Sequence, residues 1–489
     1  MTAAPIRRVV IVGRDVDLWL SALAIHRAIA PCGIAVRVVE LPSHLGAGAV
    51  IACLPAFAWL QRMIGIDEAA AICAADGTFS LGQRVEGFGG PGTAFFHPYG
   101  DQSAPVGLAD FMQVWAAARG YGLDTGFDAF ALNTTAAAAG RMMPDEVEHG
   151  CHLHARPYVR ALRATARSLG IEVHNGFVGT RLQTNGAGIA AIRLDNGGEV
   201  GGDLFIDASG SDAVLASGDM DADWSALYPG DCVLTAYAEP IGLPAYSQSA
   251  ALENGCLHIL SAQTVTGLEY VFDSRAQTDA EAWRAVAAAL PLRLAEAHVI
   301  APFRPGRRMA PWAGNCVAVG EAACRLDAIG QPRLHVLQWQ LAQLIALFPL
   351  HADMRLEAAE YNAAAEVAQA HVRDFQLAHY RLSRAGASAF WTAARDLPTP
   401  AFLAHKMEVF AASGRVALGE DEAFDASSWE AVMAGLGPVP RRPSPLARTL
   451  ARPALAAELR ARLKTTRDRV AAMPSHADVL ATLRRRGKP

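Results

Sequence analysis

The first part of the chain switches between two hydrophobic periods. Arg7 to Val12 is a run dominated by β-branched residues that stops at Gly13. Asp17 to Ile29 carries its apolar residues at helical spacing, and Ala35 to Val39 is a second β-branched run that stops at Glu40. A strand period, a helix period and a strand period again predict a βαβ unit of the dinucleotide-binding kind. Two short runs further on are predicted to join the same sheet: Leu204 to Asp207, followed by Ala208-Ser209-Gly210, and Cys316 to Val319, followed by Gly320.

Between these runs lie segments with the character of a substrate domain. Thr78 to Gly100 is rich in Gly and Phe, and Leu227 to Asp273 holds several β-rich runs. After Asp353 the period is mainly helical, with Trp391 and Trp429, and the end of the chain is an Arg- and Ala-rich helical pattern. A sheet fed from the beginning, middle and late parts of the chain implies interleaved domains. The expectation is a nucleotide-binding-like and a substrate domain interleaved through residues 1–350, a helical region over 351–435 and a helical tail over 436–489.

Composition narrows the class. The 489 residues are 52% hydrophobic and 19% charged, enough apolar material for large cores. A net charge of −5 gives no electrostatic reason to expect nucleic acid or an anionic membrane as partner. Apolar stretches such as Gln338 to Pro349 are too short to span a bilayer. No stretch has the pattern of a targeting segment, and the 8 cysteines are scattered without a CxxC pair. The expectation is a cytoplasmic protein with reduced thiols.

In a G-x-G-x-x-G turn the glycines allow a tight bend, close approach of the backbone to a pyrophosphate, and close packing of helix on strand. This chain reads Gly13-Arg14-Asp15-Val16-Asp17-Leu18, keeping the first glycine alone. Asp15 stands where the backbone approaches the phosphates, and Asp17 lies in the first helical turn. Both carboxylates would repel a pyrophosphate, or could cap the helix themselves. Leu18 is expected to push helix and strand apart. Arg14 could offset the acidic charge, and Glu40 at the second strand's end is placed for a ribose hydroxyl. Gly13, Arg14, Glu40 and Gly320 are therefore the candidate cofactor-binding residues.

Ordered segments add a resemblance. Trp19 follows the turn. Next come Thr78-Phe79-Ser80-Leu81-Gly82, Phe96-His97-Pro98-Tyr99-Gly100 and Asp203 through Gly210, then Gly306-Arg307-Arg308 with Trp312, Asn315 and Gly320. Leu344 through Pro349, Arg373-Asp374-Phe375 with His379-Tyr380, Phe390-Trp391, Ser413-Gly414-Arg415-Val416 and Trp429 complete the set. In this order they resemble the flavin-dependent tryptophan halogenases over nearly the whole chain. The resemblance implies an α/β, flavin-monooxygenase-like dinucleotide-binding fold with an interleaved substrate domain and a C-terminal helical region. Active members use reduced FAD, oxygen and halide to form hypohalous acid, and a lysine directs the oxidised halogen onto the indole of tryptophan.

The residues that carry this chemistry are replaced here. The relay lysine's position matches Ser80. The family's L-D-P-L-E-S-T-G, anchored on Leu326-Asp327, puts its glutamate, which assists proton removal, at Gly330. The Ser-Thr-Gly that follows falls on Gln331, Pro332 and Arg333. W-x-W-x-I-P falls on Cys256-Leu257-His258-Ile259-Leu260-Ser261, and G-V-G-E on Gly46-Ala47-Gly48-Ala49. His152 and His154 alternate on a predicted strand, but no second ligand pair accompanies them and no metal site is assigned. These replacements point to a divergent family member without halogenase activity, its FAD contact weakened or lost. It would act as a partner of an active paralogue, as a homodimer, or as a binder of a tryptophan-like small molecule. The alternative is an active FAD-dependent halogenase or monooxygenase with a rewired site.

Overall fold

A computed structural model describes residues 4–100, 104–183, 188–216, 220–449 and 451–486. Arg8–Gly13 forms β1, Asp15–Ile29 forms α1 and Ala35–Glu40 forms β2, the βαβ unit read from the period. β1 runs parallel to β2, Arg8 opposite Ala35, and parallel to Leu204–Ala208, Val9 opposite Leu204. Buried on both faces, β1 is apolar without alternation, as central parallel strands are. Among the described residues the sheet runs Trp312–Ala313, Cys316–Ala318, Leu204–Ala208, β1, β2, Glu172–Asn175, so both later runs join it. A Cβ on Gly13 would lie 2.2 Å from the Ala208 carbonyl oxygen, which is why this position admits only glycine.

Leu18 is fully buried. Val16 through Ile25 are buried without interruption, so α1 is covered all round and Leu18 finds apolar surroundings within the core.

The described residues fall into two compact units. One comprises Met1–Asp76, Leu153–Ser225 and Arg304–Ala370, and the other Gly77–His152, Ala226–Phe303 and His371–Pro489. The first contains the βαβ unit. The second is built on a sheet in the order Val299–Pro302, Cys232–Ala238, Thr266–Phe272, Gly255–Ser261, Ser247–Leu252, Gly82–Glu86, Ala94–Pro98. Strand alternation gives one face of this sheet Leu234, Leu257, Ile259, Leu268, Tyr270 and Phe272, which pack against Ala282 and Val286 of the helix Asp279–Ala289. That helix starts on a capping box, Thr278 with Glu281. The opposite face carries Glu269, His258 and Ser249 in cross-strand register.

The C-terminal region is helical, with Ala389–Asp396, Ala401–Ser413, Ala426–Leu436, Arg452–Ala472 and His476–Arg486. Residues 450 and 487–489 of the expected tail lie outside the described residues. The tail returns to its own unit's core: the buried His476 ring accepts from the Phe79 N–H at 3.1 Å and contacts the Leu243 carbonyl at 2.9 Å. Among the described residues no helix is long and apolar enough to cross a membrane.

Candidate functional site

In the turn after β1 an aspartate takes up a left-handed backbone. Arg14 is extended and is the N-cap of α1, and Asp15 adopts φ +57°, a left-handed conformation that aspartate tolerates better than most residues. No side chain caps the helix, contrary to the capping expected of Asp15 or Asp17. The left-handed backbone sends the Asp15 carboxylate to the following loop instead, where it accepts the His44 N–H at 3.0 Å.

Asp17 is 3% exposed, and neither of its carboxylate oxygens has a hydrogen-bond partner. Arg333 Nη2 stands 3.6 Å away, and the same guanidinium faces Glu321 at 3.6 Å. Burial pushes the Asp17 carboxyl above its ordinary range. Arg333 opposes this, and Glu321 and Asp15 add to it. Gly320, at φ +60°, lies against it: a Cβ there would sit 2.5 Å from Asp17 Oδ2. The Gly320 N–H donates to Gln340 Oε1 at 2.7 Å.

Arg14 is buried and turned inward. Its Nη1 donates to Asp212 Oδ2 at 2.5 Å and to the Ser209 carbonyl at 3.1 Å, and lies 2.9 Å from His44 Nδ1. Its charge is already matched by Asp212. Glu40 ends β2 as expected, but is paired with Arg163 at 2.6 Å, and the Arg163 guanidinium lies 5.9 Å over the Trp19 ring. Gly13, Arg14, Glu40 and Gly320 thus surround or adjoin one turn. Its backbone fits a pyrophosphate. Its charges, Asp15, Asp17, Asp212 and Glu321 against Arg14 and Arg333, do not.

Gly330 sits in a tight turn of the same unit. Asp327 Oδ1 accepts the Ile329 N–H at 2.9 Å, Gly330 has φ +80° and Gln331 φ +52°, and Pro332 caps the helix Arg333–Ala346. A residue with no side chain supplies no general base there.

In the second unit, Ser80 ends the strand Thr78–Ser80 and is buried, its hydroxyl donating to the Gly82 carbonyl at 3.1 Å. Opposite Thr78, His152 reaches the Ser261 carbonyl through Nδ1 at 3.2 Å, and burial pushes it down to about 4. His154, in the first unit, bonds the Ala47 carbonyl at 2.9 Å. Among the described residues no cluster of three or more potential ligands could hold a metal. Where the family's signature tryptophans fall, the ring of His258 lies 2.9 Å from Ser249 Oγ and 4.0 Å from Cys256 Sγ.

His97 is buried with no hydrogen bond at either ring nitrogen. Phe375 and Tyr99 flank it at 5.7 and 6.2 Å, and burial pushes it down to about 3. In the sequence His97 stands only as part of Phe96-His97-Pro98-Tyr99-Gly100, and the lack of a hydrogen bond at its ring emerges in the structure.

The chain has three lysines, Lys406, Lys464 and Lys488. Lys406 is buried, ion-paired with Glu422 and 3.8 Å from the centre of the Trp429 ring. Lys464 is exposed and pairs with Asp468 at 2.5 Å. Lys488 lies outside the described residues.

The parallel sheet, glycine turn and α1 define a protein with a dinucleotide-binding fold. Known proteins narrow this. The sequence model described as tryptophan halogenase matches residues 8–452, and the chain belongs to that family. It is 26% identical to tryptophan 7-halogenase KtzQ of Kutzneria sp. (strain 744), over 90% of this chain and 91% of that one. Among solved structures it is similar to Xcc4156, a flavin-dependent halogenase from Xanthomonas campestris, with 30% identity, TM-score 0.93 and 98% of each chain covered. It is also similar to BrvH, a flavin-dependent halogenase from Brevundimonas sp. BAL3, with 27% identity, TM-score 0.93 and 98% and 99% covered.

Proposed function

We propose that this member of the tryptophan halogenase family does not halogenate, and that it binds a tryptophan-like aromatic molecule with a weakened hold on FAD. The observation that carries this reading is Ser80. At the position matching the relay lysine is a buried hydroxyl bonded to the Gly82 carbonyl at the start of the next strand. A hydroxyl has no amine with which to form a haloamine and no ammonium to orient hypohalous acid. Lysine scarcity supports the reading, because Lys406 and Lys464 are each held by a carboxylate. Gly330 removes the base in the same stroke. When bound, FAD would supply the oxidising chemistry, and Gly13, the first turn of α1, Glu40 and Gly320 are the residues that would hold it.

Binding is supported by His97. Held neutral by burial, the ring can donate one hydrogen bond to an aromatic guest, with Tyr99 and Phe375 as flanking rings. We place this role in the cytoplasm, with a homodimer or an active paralogue as the partner to look for.

The test supplies purified protein with reduced FAD, oxygen, bromide or chloride, and tryptophan or indole, with products read by mass spectrometry. No halogenated product is expected, while indole or tryptophan should raise the melting temperature. Halogenated indole formed above a protein-free control overturns the reading.

A further inference from the structure

We propose that Asp17 makes dinucleotide binding conditional on a proton: FAD enters the α1 turn only when the Asp17 carboxyl is neutral. This rests on the family's flavin site lying at this turn, and it deepens the weakened hold on FAD proposed above by naming what controls it.

The shape of the site argues for entry. Asp15 holds the left-handed conformation that a glycine would otherwise supply, Gly320 keeps φ +60°, and no side chain occupies the start of α1 as a cap. Free N–H groups at a helix start, with the dipole behind them, attract a phosphate. Inward-turned Arg14 is already committed to Asp212 and Ser209.

The charge argues against entry unless something changes. Asp17 sits in that first turn, 3% exposed, with both oxygens free of hydrogen bonds. The groups that face it are Arg333 at the start of Arg333–Ala346, Glu321 in the turn Gly320–Ala322, and Asp15 on its own helix. Arg333 is shared, 3.6 Å from Asp17 and 3.6 Å from Glu321. One guanidinium cannot neutralise two carboxylates and a pyrophosphate as well.

Of the carboxylates, Asp15 is stabilised by the His44 N–H and Asp212 by Arg14. Asp17 is the desolvated one, and the one cation that faces it, Arg333, is shared with Glu321, so it takes a proton at least cost. A neutral Asp17 removes the repulsion.

Binding and protonation are then linked. Where Asp17 is ionised in the free protein, FAD affinity falls about tenfold for each rise of one pH unit, and below that region it levels off. FAD itself does not change charge between about pH 5 and about pH 8.5, so the slope reports the protein.

The experiment titrates the full chain with oxidised FAD across that range at fixed ionic strength, read by flavin fluorescence. Calorimetry in buffers of different ionisation enthalpy counts the protons taken up. Wild type, Asp17→Asn and Asp17→Ala are compared, the alanine variant giving the same readout should the asparagine variant not fold. Wild type should take up about one proton per FAD where its affinity is pH-dependent. Either variant should take up none through this group, with affinity flat in pH and near the wild-type low-pH plateau. A flat wild-type profile, an unchanged slope in the variants, or no FAD binding by any protein at any pH overturns the proposal. Its failure is distinct from that of the functional reading: halogenated product would sink the latter and leave the proton coupling standing, and a flat profile would do the reverse.

Discussion

Asp17 and Gly320 fit against each other so closely that position 320 has no room for a side chain: a Cβ there would lie 2.5 Å from Asp17 Oδ2 and 3.2 Å from its Cγ. The contact joins the first turn of α1 to the turn that follows Cys316–Ala318, the two elements on which a dinucleotide fold builds its ligand site.

Gly320→Ala should therefore be costly for two separable reasons, the left-handed backbone at φ +60° and the collision with the carboxylate. The conformational part is worth about 1–2 kcal/mol. Pairing it with Asp17→Ala removes the collision and leaves the backbone cost, so the double variant should lose less than the sum of the singles. Urea unfolding of the four proteins of this cycle measures the difference. Strict additivity would mean that the two residues do not meet.

Lys406 and Glu422 carry a second prediction. The lysine is buried, with the Trp429 and Phe402 ring centres 3.8 and 4.9 Å from Nζ, while Glu422 also accepts from the Trp429 indole N–H at 3.2 Å. Lys406→Met strands a buried carboxylate and should cost about 3–5 kcal/mol. Adding Glu422→Gln removes the stranded charge and should recover a large part of that loss. The urea midpoint is the readout, and a single variant as stable as wild type would refute the buried pair.

The two pairs also mark where sequence reading stops. β1, α1 and β2 were legible because burial on both faces of a strand, or all round a helix, writes itself as an apolar run of matching period. The later strands Leu204–Ala208 and Cys316–Ala318 were legible for the same reason. Ser80 and Gly330 were singled out from motif order alone, and the structure adds the burial of the one and the turn of the other. The fates of the turn's charged side chains could not be read that way. Arg14 meets Asp212, 198 positions away, Asp17 meets Arg333, and Glu40 meets Arg163, pairings that exist only once the chain has folded. Capping by Asp15 or Asp17 was the natural local expectation. It failed because the left-handed backbone at Asp15 points that carboxylate at the loop of His44, and because Asp17 lies inside the first turn rather than before it.

Stability should depend on pH through the buried histidines. Burial pushes His97 to about 3 and His152 and His335 to about 4, and lowers His476. All lie below the unfolded value of about 6.5. Between the folded and unfolded values the unfolded chain binds more protons, so stability rises with pH across that window. It is fully present above about pH 6.5 and is lost as pH falls below it, at up to about 1.4 kcal/mol per pH unit for each histidine. Asp17, Asp128 and Asp374 have raised carboxyls and work with the opposite sign. Their folded states gain protons first, so they oppose the loss between about 3.8 and their raised values. Melting temperature followed from pH 7 to about pH 4 should fall, and His152→Gln should flatten the fall. A level profile over that range would show that these rings accept protons within the fold.

On the functional reading proposed above, placing an amine at Ser80 should not by itself produce halogenation. Ser80 is buried with its hydroxyl on the Gly82 carbonyl, in a strand paired to Gly150–His154. A lysine introduced there must either bury an ammonium without a carboxylate partner or surrender its charge, its pKa falling by up to about 3–5 units. Either outcome, together with the loss of the serine's own hydrogen bond, should lower stability by about 2–4 kcal/mol. On the same reading, Gly330 offers no side chain to take the indole proton. Ser80→Lys should therefore melt several degrees below wild type and give no halogenated tryptophan. The double variant Ser80→Lys with Gly330→Glu brings back both groups but places glutamate at φ +80°, outside its favoured backbone region. It should be less stable still, and halogenated product from the single variant would show that the relay lysine was the one missing part.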